Sequence, residues 1–266
     1  MENKVTTAAL AEMKDNGEKI VMLTGYDYSM SRILDEAGID VILVGDTLGM
    51  VKLGYENTLP VTIEDMLHHC KAVKRGNKRA FLAVDMPFLS YETKPQDAVL
   101  NAGRLIKEGG AEAVKLEGGK EMLPAIMAIL DAKIPVIGHL GLTPQGVHKF
   151  GGYKVQGRTG GAAQKIIEDA EALEKAGVFM LVLECIPAAL AKTITKILSI
   201  PTIGIGAGPG CDGQVLVSDD LLGLYSDISP KFVKRYANLK KDITEAVTKY
   251  RKEVKSCKFP SKDNTY

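Results

Sequence analysis

Six short apolar runs in this chain each stop on a residue that can do chemistry. Val41-Ile42-Leu43-Val44-Gly45 leads into Asp46, and Phe81-Leu82-Ala83-Val84 into Asp85. Ala113-Val114-Lys115-Leu116 ends at Glu117, with Lys115 inside the run. Pro135-Val136-Ile137-Gly138 ends at His139, and Phe179-Met180-Leu181-Val182-Leu183 at Glu184. Thr202-Ile203-Gly204-Ile205-Gly206 opens into Ala207-Gly208. Runs this short, rich in Val, Ile and Leu and lacking polar alternation, read as strands buried on both faces. Helical patterns separate them, so the strands are expected to be parallel. Side chains at the carboxyl ends of successive parallel strands converge on one mouth. That is where α/β barrels and open α/β sheets place their sites.

Strands are expected at 20–24, 41–45, 80–84, 112–117, 134–138, 179–183, 203–205 and 215–217. Helices are expected near 28–37, 62–75, 95–108, 120–131, 160–176 and 187–198, with a short amphipathic one at 5–14 that could cap the bottom of a barrel. Thr62 with Asp65 three residues later, Pro95 and Pro187 are start signals. Gly38, Gly76, Gly109 and Gly177 mark helix ends. Eight β/α units in this length give an α/β fold, the (β/α)8 TIM barrel. A doubly wound open sheet is the alternative, but it would need eight parallel strands without a clear reversal point. Residues 1–266 are read as one barrel domain with an N-terminal capping helix and a basic C-terminal helix and tail.

The 266 residues are 45% hydrophobic and 25% charged, with a net charge of +1. Such a balance gives no general pull on nucleic acid or an anionic membrane. No secretory leader or bilayer-length apolar run is evident. Cys70, Cys185, Cys211 and Cys257 are scattered and form no CxxC pair, which fits a reduced, cytoplasmic compartment. Two stretches depart from the repeat. Residues 142–161 are rich in Gly and polar side chains and too long for a simple turn, so they form either a mobile lid or an ordered binding loop. From Lys231 onward the tail carries 11 Lys and Arg against 4 Asp and Glu, which reads as a solvated helix face.

Asp46 and Asp85 end two strands at matching places. Two carboxylates facing one mouth repel unless a cation or a shared proton lies between them. Hard oxygen ligands that leave room for water suit Mg²⁺. Glu117 could complete that shell directly or through water. Helix capping is the structural alternative for each of the three. Lys115 lies two residues before Glu117, on the same strand face. It pairs either with Glu117 or with an anion held at the metal, such as a substrate carboxylate. Glu184, flanked by Leu183, Cys185 and Ile186, is a candidate general base, because desolvation raises a carboxyl pKa. His139 faces the same mouth as a hydrogen-bond donor, proton shuttle or metal ligand. The thiols of Cys185 and Cys211 have no evident base beside them. The glycines at 204–210 only weakly resemble a dinucleotide fingerprint. A coherent chemistry follows: Mg²⁺ chelates a 2-oxoacid and stabilises an enolate, and Glu184 removes the proton beside the carbonyl.

The chain closely resembles the ketopantoate hydroxymethyltransferase family. The likeness is carried by Val44-Gly45-Asp46-Thr47-Leu48-Gly49-Met50, Leu59-Pro60-Val61-Thr62 and Asp85-Met86-Pro87-Phe88-Leu89-Ser90-Tyr91. It continues through Val114-Lys115-Leu116-Glu117-Gly118, Gly138-His139-Leu140-Gly141-Leu142-Thr143-Pro144-Gln145 and Gly204-Ile205-Gly206-Ala207-Gly208. The resemblance covers residues 4 to about 255. It implies a barrel of the phosphoenolpyruvate/pyruvate-binding superfamily. It also implies transfer of a one-carbon unit from 5,10-methylenetetrahydrofolate to 3-methyl-2-oxobutanoate, giving 2-dehydropantoate for pantothenate and coenzyme A synthesis. By the same resemblance Asp46 and Asp85 bind Mg²⁺, and Glu117 joins or supports the shell. Thr47 and Lys115 hold the substrate carboxylate, and Glu184 is the proton acceptor. A homodecamer of two stacked pentamers is implied as well. Thr47 stands where the family usually has Ser; the hydroxyl survives and the added methyl stiffens it.

Two other readings compete. A Mg²⁺-dependent lyase or mutase of the same superfamily would stabilise a similar enolate, but the Lys-Lys-Cys-Gly string typical of such lids does not occur here. A barrel that only binds its ligand, as a sensor or assembly subunit, would have no need of both metal carboxylates, Lys115 and Glu184 together.

Overall fold

The computed structural model describes residues 3–225 and 230–266. The chain forms two compact units, Met1–Leu216 and Val217–Tyr266. In the first, eight parallel strands close into a barrel in sequence order: β1 (Ile20–Thr24), β2 (Val41–Val44), β3 (Phe81–Asp85), β4 (Ala113–Glu117), β5 (Val136–Gly141), β6 (Met180–Glu184), β7 (Thr202–Ile205) and β8 (Gly213–Leu216). The helices are α1 (Thr7–Asp15), α2 (Tyr28–Glu36), α3 (Leu48–Val51), α4 (Ile63–Gly76), α5 (Pro95–Lys107), α6 (Leu123–Asp131), α7 (Val147–Phe150), α8 (Gly160–Ala176) and α9 (Ala188–Ile197). The open-sheet alternative is thereby set aside, because β8 pairs back onto β1. Between β7 and β8 the seven residues 206–212 carry no helix, so the repeat is incomplete there.

Period-2 geometry sorts each strand into an inward and an outward row. Ile20, Met22, Val41, Leu43, Phe81, Ala83, Ala113, Ile137, Met180, Val182, Ile203 and Val215 form one buried cluster. Val5 and Leu10 belong to it as well, so α1 packs its apolar face onto the barrel's lower interior. Each Val, Leu, Ile, Met or Phe side chain of the cluster contributes about 1.5–3 kcal/mol by leaving water. Lys14 fixes the helix from its polar side, with Nζ 2.7 Å from Asp212 and 3.1 Å from the Thr195 carbonyl.

The start signals act as local chemistry requires. Thr62 and Asp65 form a reciprocal capping box at α4. The expected helix ends divide into two kinds. Gly177 takes the left-handed cap after α8, at φ 106°. Gly76 instead lies inside the end of α4, where a Cβ would stand 2.5 Å from the Tyr28 carbonyl oxygen; it is small so that α2 and α4 can touch. Residues 142–161 are built from a 3-10 turn (Pro144–Gly146), α7 and an irregular stretch that runs into α8.

The second unit holds α10 (Ser218–Leu221) and α11 (Leu239–Lys255). No residue of α11 is buried, in keeping with a solvated helix. Among the described residues no helix is long and apolar enough to cross a membrane.

Candidate active site

The inward row changes character toward the carboxyl ends of the strands. On β3 it runs Phe81, Ala83, Asp85; on β4, Ala113, Lys115, Glu117; on β5, Ile137, His139; on β6, Met180, Val182, Glu184. Register then sets the neighbours: Asp85 lies beside Lys115, Glu117 beside His139, and Gly141 beside Glu184. β2 stops at Val44, and its next inward place is Gly45. A Cβ there would be 3.0 Å from Thr47 Oγ1 and 3.5 Å from Asp85 Oδ2, so this glycine leaves room for both side chains.

The predicted residues are brought together. The Asp46 backbone N–H donates to Asp85 Oδ2 at 3.1 Å. Lys115 Nζ is 3.0 Å from Asp85 Oδ1 and 3.1 Å from His139 Nδ1. The partner of Lys115 is therefore Asp85 across the strands, rather than Glu117 along its own strand. Glu117 Oε2 accepts the Gln145 backbone N–H at 3.0 Å, and its Oε1 lies 3.5 Å from His139 Nδ1. His139 Nε2 is 3.1 Å from Glu184 Oε2, close but not aligned as a hydrogen bond. Thr47 opens α3 without capping it, and its hydroxyl lies 2.7 Å from that of Tyr26.

Asp46, Asp85, Lys115, Glu117 and His139 are all buried, whereas the Glu184 side chain keeps 15% of its surface open. Acid outweighs base here. Burial, reinforced by the charges of Asp85 and Glu117, pushes the Asp46 carboxyl well above the ordinary range. Burial also raises Asp85, with Lys115 opposing it. For Lys115 burial acts to lower the pKa, but the surrounding carboxylates win and raise it. His139 feels two demands. Burial and Lys115 favour the neutral ring, while Glu117 and Glu184 favour the imidazolium and prevail, lifting it to about 9. The thiols are inert by comparison: burial pushes Cys185 up to about 12 and raises Cys211 as well.

Among the described residues, no three His, Cys, Asp or Glu side chains form a ready-made metal cage. Mg²⁺ does not need one. It is held by one or two carboxylates and completes its octahedron with water and substrate oxygens. Two adjacent unit charges a few ångströms apart repel by about 4 kcal/mol at an effective dielectric of about 20, and a divalent cation reverses that sign. Asp85 Oδ1 is buried with the Lys115 ammonium 3.0 Å away as its charge partner, and a carboxylate oxygen with one such neighbour retains acceptor capacity. The donor set of Asp46 and Asp85 fits such an ion.

Sequence reasoning left two buried groups without a role. Gln145 Nε2 donates to Asp46 Oδ2 at 2.8 Å and to the Met86 carbonyl at 2.9 Å. Tyr91 donates its hydroxyl to Gln145 Oε1 at 2.7 Å and accepts the Glu117 N–H at 3.2 Å. Both residues lie in family-like strings, but neither carries a charge that would single it out. The weak dinucleotide likeness at 204–210 has a packing explanation: a Cβ at Gly208 would stand 2.5 Å from that of Ala188.

Residues 4–262 match the family model for ketopantoate hydroxymethyltransferase. The chain belongs to this family. A relative in Syntrophus aciditrophicus, called 3-methyl-2-oxobutanoate hydroxymethyltransferase, is 57% identical over 99% of this chain and 97% of its own. Relatives of the same name in Moorella thermoacetica (99% and 98% covered) and Enterococcus faecalis (99% and 96%) are each 58% identical. The chain is an enzyme, a hydroxymethyltransferase acting on small molecules. Among solved structures the fold is shared with a phosphonopyruvate hydrolase in complex with oxalate and Mg²⁺. That likeness has a TM-score of 0.62 at 12% identity, over 97% of this chain and 92% of the other. A 2,3-dimethylmalate lyase of the PEP mutase/isocitrate lyase superfamily aligns with a TM-score of 0.58 at 14% identity, over 100% and 90%.

Proposed function

We propose that this enzyme transfers the one-carbon unit of 5,10-methylenetetrahydrofolate to C3 of 3-methyl-2-oxobutanoate, forming 2-dehydropantoate on the route to pantothenate and coenzyme A. The observation that carries the reading is the mouth itself: Asp85, Lys115 with Glu117, His139 and Glu184 occupy the upper inward places of the consecutive strands β3, β4, β5 and β6, with Asp46 and Thr47 just beyond β2. Asp46 and Asp85 hold Mg²⁺, and Glu117 joins the shell directly or through water. The bound ion supplies a Lewis acid that accepts the charge building on the 2-oxo oxygen.

This chain's own groups do the rest. Lys115, with the hydroxyl of Thr47, binds the substrate carboxylate. Glu184 takes the proton from C3, and the electrons of that C–H bond pass into an enolate. C3 then forms a new C–C bond to the one-carbon unit. That unit arrives at the formaldehyde level: water cleaves its bonds to N5 and N10 of the folate, tetrahydrofolate leaves, and the carbonyl oxygen so formed takes a proton as C3 attacks and becomes the hydroxyl. His139, 3.1 Å from Glu184, contacts the substrate side of the mouth and orients that carboxylate. The protein works as a cytoplasmic homodecamer, a pentamer of dimers, with no nucleic acid or membrane partner.

The test is direct. Purified protein with Mg²⁺, 3-methyl-2-oxobutanoate and 5,10-methylenetetrahydrofolate should yield 2-dehydropantoate, detected by mass spectrometry. Turnover with another one-carbon donor but not this folate would overturn the donor assignment.

A further inference from the structure

Gln145 satisfies every polar atom of its side chain inside the site. Its carboxamide donates to a carboxylate (Asp46) and a carbonyl (Met86) and accepts from a phenol (Tyr91). No other side-chain type can do all three, because only an amide carries two donors and an acceptor on one short plane. Its backbone N–H is engaged by Glu117. Gln145 thus touches two of the three carboxylates assigned to the cation shell. Lys115, the cation of the cluster, lies against Asp85 and His139. Gln145 is the group that holds Asp46.

This residue also belongs to the 3-10 turn at the start of residues 142–161. That segment is tied to the mouth at further points. The Leu142 N–H donates to the Glu184 carbonyl at 2.9 Å, and the Gln156 N–H to the Cys185 carbonyl at 2.9 Å. The Tyr153 hydroxyl lies 3.9 Å from Met50 Sδ, in the helix that follows Thr47. Where the segment sits and how Asp46 is aimed are therefore one structural question. Partners that orient ligand side chains typically change metal affinity 10–100-fold, and coupling between two events is reciprocal.

We infer that Gln145 is a positioning residue: it aims Asp46 at the cation and, with Tyr91, links cation binding to the seating of residues 142–161. The inference rests on the reading of Asp46 as a cation ligand. Gln145→Met keeps the length of the side chain and removes its donors. Tyr91→Phe, a milder change, breaks the same relay should the first variant fold poorly.

The experiment uses full-length protein and Mg²⁺ alone. Mg²⁺ affinity is measured by calorimetry, and trypsin cleavage at the exposed Lys149, Lys154 and Arg158 is followed with and without the ion. In the parent protein Mg²⁺ should slow cleavage at these sites. In Gln145→Met the Mg²⁺ Kd should rise about 10–100-fold, and at an Mg²⁺ concentration that saturates the parent the protection should be lost. Tyr91→Phe should shift both in the same direction by less. An unchanged Kd in both variants, or no Mg²⁺-dependent protection in the parent, overturns the inference. Asp46→Asn separates the two failures. If it abolishes Mg²⁺ binding while Gln145→Met does not weaken it, only the positioning role falls. If Asp46→Asn leaves the affinity intact, the cation-site reading itself falls.

Discussion

Along β3 the inward residues run Phe81, Ala83, Asp85, and along β6 Met180, Val182, Glu184. The lower two of each triplet join the apolar cluster plugged by Val5 and Leu10, and the upper one faces the mouth. One backbone, with one two-residue period, thus serves two ends with opposite needs. Below, close packing rewards any well-fitting aliphatic group. Above, charges are held where burial penalises them, as the raised carboxyl groups of Asp46 and Asp85 show. The lower interior supplies the stability that lets the upper interior be unfavourable by itself.

Substitutions at the two ends should separate these roles. Glu184→Gln, at the top, should lower turnover about 10²–10⁴-fold while the melting temperature stays near the parent value, as read from steady-state rates and thermal denaturation. A loss below tenfold would remove Glu184 from the chemistry. Leu10→Ala, at the bottom, should cost about 2–5 kcal/mol in denaturant unfolding, yet leave kcat per folded molecule unchanged. A specific loss of kcat there would break the division between the ends.

The acid cluster gives a third contrast. Burial, with the charge of Asp85, keeps the Asp46 proton in the folded protein at pH values where the unfolded chain has lost it. Folding therefore takes up a proton in that window, and stability of the ion-free protein falls as pH rises from the ordinary carboxyl range toward the raised value. On the proposed reading of Asp46 as a Mg²⁺ ligand, the ion displaces the same proton, so its stabilising effect should grow with pH across the same window. At a Mg²⁺ concentration 100 times its Kd that effect is about 2.7 kcal/mol. Asp46→Asn should flatten both trends in melting curves taken with and without Mg²⁺; parallel curves for parent and variant would contradict the assignment. The smallest effect belongs to Thr47→Ser. It keeps the hydroxyl beside Tyr26 and should change KM for the 2-oxoacid by no more than a fewfold.

The barrel was legible because its strands are short aliphatic runs bounded by capped helices: the first expected strand, 20–24, matches β1 residue for residue. The charged positions were legible because each interrupts or ends such a run. What a single strand cannot reveal is its neighbour. The two-residue period places Lys115 with Glu117, and only the β3–β4 register seats Asp85 beside it. Gln145 and Tyr91 stayed hidden for a related reason. They are uncharged, come from loops far apart in the sequence, and acquire meaning only where those loops meet Asp46 and Glu117. Gly76 resembled a helix cap, but its role is set by the backbone of α2 rather than by its own helix.

The central claim is that the upper interior removes the C3 proton of a 2-oxoacid. It is tested most directly by incubating 3-methyl-2-oxobutanoate with the enzyme in D₂O and following the C3 proton by NMR, with and without Mg²⁺. Exchange that requires Mg²⁺ and disappears in Glu184→Gln is the predicted result. Exchange that persists unchanged in Glu184→Gln, or is absent from the parent even with Mg²⁺ and the folate present, would contradict it.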